Sequence, residues 1–227
     1  MSRMRVAQLV AIGLLTSAGE VSASVIPLGG GWEAVVDGPG LFLGLDYVGN
    51  DSIVIARTTI FDDIDPFTGL PAPRDIVFRQ VAPDIATVSR IVIIDLTIFN
   101  YTGLPWAGFR QILMGDGVAF NPAESAESSI EPFTERTYLS SNLEVLFSGG
   151  TVEPGEVWYA GAASGTLVID IDLSQPGPVQ FVLRDLPIPA PGAIPLLVTA
   201  GVLGLRTGRR RSLPALTKQA IADLDVA

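Results

Sequence analysis

From residue 24 to residue 186, apolar and polar positions alternate with a period of two, the pattern of strands whose two faces meet different surroundings. The longest such run is 89–100. Its spacing places Val92, Ile94, Leu96 and Ile98 on one face and Arg90, Asp95 and Thr97 on the other. Leu167, Ile169, Ile171 and Leu173 alternate against Asp170 and Asp172, and Val179, Phe181 and Leu183 repeat the pattern. Shorter β-branched or aromatic runs lie at 32–36, 41–48, 53–60, 75–81, 109–113, 143–147 and 157–160.

Turn residues separate these runs: Asp37-Gly38-Pro39-Gly40, Gly49-Asn50-Asp51, Gly115-Asp116-Gly117, Gly149-Gly150 and Glu153-Pro154-Gly155. About ten short strands spaced by turns predict an all-β fold, an antiparallel β-sandwich or jelly roll, rather than βαβ units. No body segment carries a 3.6-residue apolar period, and no internal repeat is evident. Residues 121–135, rich in Ser, Glu and Pro, are expected to form a long loop with one helical turn.

The ends of the chain follow other rules. Two arginines within residues 1–5, the apolar run 6–15 and the small residues Val21 and Ala23 describe a secretory signal helix, with cleavage between Ala23 and Ser24. At the other end, the proline-rich stretch 186–192 leads into the uncharged apolar segment 193–205 and then Arg206, Arg209, Arg210 and Arg211. Arginines beyond an apolar segment hold that side in the cytoplasm and leave the body outside. From Gly192 to Leu205 there are 14 residues, short of the ~20 that a stable span needs. A short hydrophobic helix used as a transient membrane anchor fits that length. The expected organisation is therefore a signal peptide (1–23), a β-sandwich domain (24–186), a sorting or anchoring segment (187–211) and a tail (212–227).

Composition narrows the chemistry. The 227 residues include no cysteine and no histidine, which removes disulfides, thiolate metal sites, the Ser-His-Asp triad and the commonest general base. The single lysine, Lys218, lies in the tail. Residues 24–189 hold seven arginines against 21 Asp and Glu, a net of −14. Such a body repels phosphate backbones, so no nucleic-acid partner is expected.

Pro189, Ala190, Pro191 and Gly192, the apolar segment and Arg206, Arg209, Arg210 and Arg211 together resemble the tripartite PEP-CTERM sorting signal. Alanine stands where that family's pattern has its central glutamate, and the chain continues past its arginines through 212–227. The resemblance implies an exosortase-type processing enzyme as partner, inner-membrane anchoring through the C-terminal helix, and association with exopolysaccharide. The run from Asn100 through Gly103 and Trp106 to Phe109 resembles a hairpin of the secreted β-sandwich domains in that family, and Gly149 to Gly155 before Trp158 resembles its turn into the last strands.

Three clusters invite a chemical reading. Asp62, Asp63 and Asp65 have the oxygen-ligand density of a Ca²⁺ site but lack the EF-hand glycine and distal glutamate; a solvated loop is the plainer reading. Asp170 and Asp172, ~7 Å apart on one strand face, have the spacing of a glycosidase dyad, although alternating acids on a solvent face are ordinary. Gly29-Gly30-Gly31 lacks the helix and lysine of a phosphate loop. Trp106 with Tyr101 is either a sugar-stacking platform or, as the turn chemistry of Asn100 and Gly103 favours, a cover for the core edge. The expected function is that of an exported, non-enzymatic protein of the cell envelope or matrix, without cofactor, catalytic residue or metal. The alternative is a secreted carbohydrate-binding or carboxylate-based carbohydrate-active module.

Overall fold

A computed structural model describes residues 23–81, 87–125, 130–160 and 167–192. The expected signal peptide up to residue 22, the segment 193–205, Arg206, Arg209, Arg210, Arg211 and the tail 212–227 lie outside the described residues. Those described form an all-β fold of 13 strands: β1 (Ser24–Gly29), β2 (Trp32–Val36), β3 (Leu41–Val48), β4 (Ile53–Phe61), β5 (Arg74–Gln80), β6 (Arg90–Asn100), β7 (Trp106–Met114), β8 (Val118–Phe120), β9 (Glu135–Leu139), β10 (Glu144–Ser148), β11 (Val157–Ala160), β12 (Leu167–Ile171) and β13 (Gln180–Pro189).

The strands make two sheets. The first has the order β1-β2-β5-β13-β7-β10-β9, the second β3-β4-β6-β12-β8, with β11 also pairing β6. The expected antiparallel rule fails once, because β4 and β6 run parallel, Ile53 opposite Ile91 and Phe61 opposite Asn100. The strand between them in the chain, β5, belongs to the first sheet, so β4 and β6 are not joined by a hairpin. Turn chemistry could not reveal it, since each local turn is compatible with antiparallel neighbours.

One buried layer lies between the sheets. Ile53, Ile55, Phe61, Ile91, Ile93, Leu96, Ile98 and Trp158 come from the second sheet; Trp32, Phe78, Trp106, Phe109, Phe147 and Phe181 come from the first. Burying each such side chain stabilises the fold by about 1.5–3 kcal/mol before entropy is counted.

The face assignment in β6 differs from the simple alternation. Ala56 pairs Ile94 whereas Thr58 pairs Thr97, so β6 carries an extra residue there. This bulge shifts the phase: Ile91, Ile93, Leu96 and Ile98 point inward, while Val92, Ile94, Thr97 and Phe99 are only half-buried. Val92 and Ile94 thus belong to the outer face, not with Leu96 and Ile98.

Three strands carried no alternating apolar signal. β1 contains Pro27, tolerated because the strand is an edge; β8 has three residues; β9 is polar and half-exposed at the opposite edge. The described residues between Asn121 and Thr134 are turns and loop, as expected, and they bury Phe133 against Trp158 at 4.9 Å between ring centroids. β13 extends through Pro189, pairing Pro187 with Phe109 and Pro189 with Trp106. Residues 187–189, expected as linker, are therefore strand. The prolines fit there because β5, the neighbour on the other side, pairs β13 only as far as Asp185.

Candidate functional site

The segment from Asn100 to Trp106 and the segment from Gly149 to Gly155, singled out separately by their residues, meet in space. Trp106 and Val152 exchange both backbone hydrogen bonds, each 3.0 Å. The Asn100 side chain donates to the Leu104 carbonyl at 2.9 Å and the Val152 carbonyl at 3.0 Å, and its oxygen accepts from the Thr102 hydroxyl at 2.7 Å. Asn100 is thus a buried clasp tying the turn to the incoming strand. Gly103 takes φ 75°, open to glycine at no steric cost.

Trp106 is fully buried. Its indole N–H donates to Thr102 Oγ1 at 3.1 Å, and its ring meets Phe61 edge-on at 5.3 Å. It covers the core edge and is closed to a sugar. Trp32 and Trp158 are buried as well.

The carboxylate clusters have protein partners. Asp62 and Asp63 face Arg74 at 2.8 and 3.3 Å, while Asp65 accepts the Phe67 N–H at 2.7 Å and caps its own turn. Among the described residues, no group of three or more acidic side chains is arranged to hold a metal ion. Asp170 is held by Arg90 at 2.8 Å and by Asn121 at 2.6 Å. Asp172 lies beyond β12, where bonds from the Ser174 hydroxyl, then the Ser174 N–H and Gln175, draw its pKa down. The two acids serve an ion pair and a turn cap. Gly29-Gly30-Gly31 is the β1–β2 hairpin turn, with φ of 74°, 55° and 81°; a Cβ on Gly31 would meet Thr87 Oγ1 at 2.5 Å.

An unexpected ionic site lies in the core. Arg57 on β4 and Asp185 on β13 bridge the two sheets, with Arg57 Nη2 3.0 and 3.2 Å from the two carboxylate oxygens. Gln111 on β7 donates to Asp185 Oδ1 at 3.3 Å. All three residues are buried, yet Arg57 Nε and Nη1, Gln111 Oε1 and Thr59 Oγ1 have no hydrogen-bond partner among the described residues. Burial pushes the Asp185 carboxyl up, opposed by Arg57, and pulls the Arg57 guanidinium down, opposed by Asp185. Alternation contained the signal: Ile53, Ile55, Arg57, Thr59 and Phe61 share one parity, and so do Phe181, Leu183 and Asp185.

The outer faces of the two sheets differ in chemistry. On the first, Arg184 grips Asp75 at 2.7 Å, Arg110 lies 3.2 Å from Glu144 and Arg79 4.0 Å from Glu33. The second carries the exposed rings Phe42, Tyr47, Tyr101 and Tyr159 as well as Asp46 and the Arg90–Asp170 pair.

Of the expected sorting residues, Pro189 pairs Trp106 and the Ala190 N–H donates to the Pro105 carbonyl at 2.8 Å, while Gly192 takes φ 91°. Among the described residues no helix is long and apolar enough to cross a membrane. No protein-family model, curated protein or solved structure matches the chain.

Proposed function

We propose that the chain is an exported, C-terminally sorted, non-enzymatic protein of the cell envelope or extracellular matrix, with its β-sandwich displayed outside the cytoplasm. One observation carries this reading: the ordered sheet fits between the two address segments. β1 starts at Ser24, the first residue after the expected cleavage, and β13 ends at Pro189, where the Pro-Ala-Pro-Gly stretch begins. A signal peptidase cutting after Ala23 leaves the whole first strand intact, and a sorting enzyme acting beyond Gly192 removes none of the described strands.

The chemistry of the body agrees with such a role. The most distinctive motif, Asn100 to Trp106, is spent on joining strands, and Asp62, Asp63, Asp65, Asp170 and Asp172 are spent on ion pairs and turn caps. Partnership with an exosortase-type enzyme, anchoring through 193–205 and a link to exopolysaccharide follow from the PEP-CTERM resemblance. Fractionation of the native host with antibody against residues 24–189 tests the reading. Protein in the envelope or medium is expected, and protein confined to the cytoplasm refutes it.

A further inference from the structure

Strand pairing sets four side chains of the second sheet in one line across its outer face. Phe42 on β3 stands opposite Thr58 on β4, Thr58 opposite Thr97 on β6, and Thr97 opposite Tyr159 on β11. The result is a row of ring, hydroxyl, hydroxyl and ring spanning three inter-strand steps, about 14 Å. The next row continues it with Ile60, Phe99 and Val157, and Tyr101 sits 5.7 Å from the Phe99 ring. The rims are open: Phe42 is 46% exposed, Tyr101 52% and Tyr159 53%.

Phe42, Thr58, Thr97 and Tyr159 carry no charge, and the charged groups Asp46, Arg90 and Asp170 stand elsewhere on the second sheet. Five of the seven body arginines, Arg74, Arg79, Arg110, Arg136 and Arg184, belong to the first sheet; Arg57 is buried, and Arg90 stands at the very start of β6. The body as a whole carries −14 between residues 24 and 189, which repels polyanions.

From this geometry we infer that the outer face of the second sheet binds a neutral polysaccharide, whose sugar rings stack on Phe42 and Tyr159 while Thr58 and Thr97 meet the hydroxyls between them. A sugar chain offers apolar C–H faces and hydroxyl edges in the same alternation, and its extended form suits a flat row across strands. An apolar occupant, whether a second copy or a hydrophobic segment, strands the two threonine hydroxyls, which costs free energy. The inference rests on the exported reading only for where such a polymer is encountered. Binding by purified protein tests the site, and fractionation tests the location.

The experiment is affinity electrophoresis of the mature full-length protein in gels containing dextran, laminarin, xylan or hydroxyethylcellulose. At least one of these is expected to retard the wild type. Phe42→Ala and Tyr159→Ala should each weaken that retardation ten-fold or more, and Arg79→Gln on the other sheet should leave it unchanged. Tyr159→Ile, which keeps a strand-compatible side chain without the aromatic ring, must lose binding while melting with the wild type. The inference is overturned if no polymer retards the wild type or if the variants are retarded equally. It is overturned too if these substitutions instead dissolve a dimer seen in light scattering while polysaccharide retardation persists.

Discussion

Removing the Asp185 carboxylate while keeping Arg57 should destabilise the domain severely, whereas removing both should not. Arg57 and Asp185 are buried, 3.0 Å apart and in opposite sheets. Desolvating two ions costs several kcal/mol each, and their attraction repays this only when the remaining donors are satisfied. Here Arg57 Nε and Nη1 have no partner among the described residues. Asp185→Asn leaves a buried guanidinium without its counter-charge, at about 3–5 kcal/mol. At roughly 2–4 °C per kcal/mol for a domain of this size, Tm falls by about 6–20 °C. Arg57→Met with Asp185→Leu removes both charges at similar volume and should fall between neutral and about 4 kcal/mol stabilising. Thermal and urea melts of the wild type, both single variants and the double variant complete the cycle. A single Asp185→Asn that melts with the wild type, or a double variant as unstable as the single, refutes the reasoning.

The same pair has a pH signature. Burial raises the Asp185 pKa above its unfolded value, about 3.9. Over the window between the two values the native state binds more protons, so this group's contribution to stability falls as pH rises. The double variant should therefore gain on the wild type as pH climbs from about 4, measured by urea melts at several pH values; a constant difference counts against it. Trp106→Ala should cost about 3–5 kcal/mol through lost burial and a residual cavity, seen as a far lower Tm or failure to accumulate. A Trp106→Ala protein melting within 2 °C of the wild type (roughly 1 kcal/mol or less) contradicts its place in the core. Replacing Arg209, Arg210 and Arg211 with glutamine should impair retention or processing of the tail, read by fractionation and immunoblot; unchanged display denies the tail a sorting role.

Much of this fold is legible in single residues because strands and turns obey local rules. β2, β3 and β11 start and stop where β-branched and aromatic runs meet Gly, Asp and Pro. The turn at Asn100 and the burial of Trp106 were legible for the same reason, whereas the bond from Asn100 to the Val152 carbonyl, 52 residues away in sequence, was not. What escaped was set by tertiary context. The bulge in β6 reversed the faces of Val92 and Ile94, because one extra residue changes parity and no local residue type announces it. Arg57 and Asp185 lay on core parity, yet charged side chains are ordinarily placed outside. β9 is held by pairing with β10 rather than by its own apolar pattern. The aromatic row needed strand order as well, since Phe42, Thr58, Thr97 and Tyr159 are scattered along the chain and only pairing aligns them.

Whether both end segments act as addresses is read from the intact mass of the protein recovered from its native host. An envelope or extracellular species starting at Ser24 and retaining every residue through Pro189 is expected. A folded species that keeps Met1 and stays in the cytoplasm contradicts this reading.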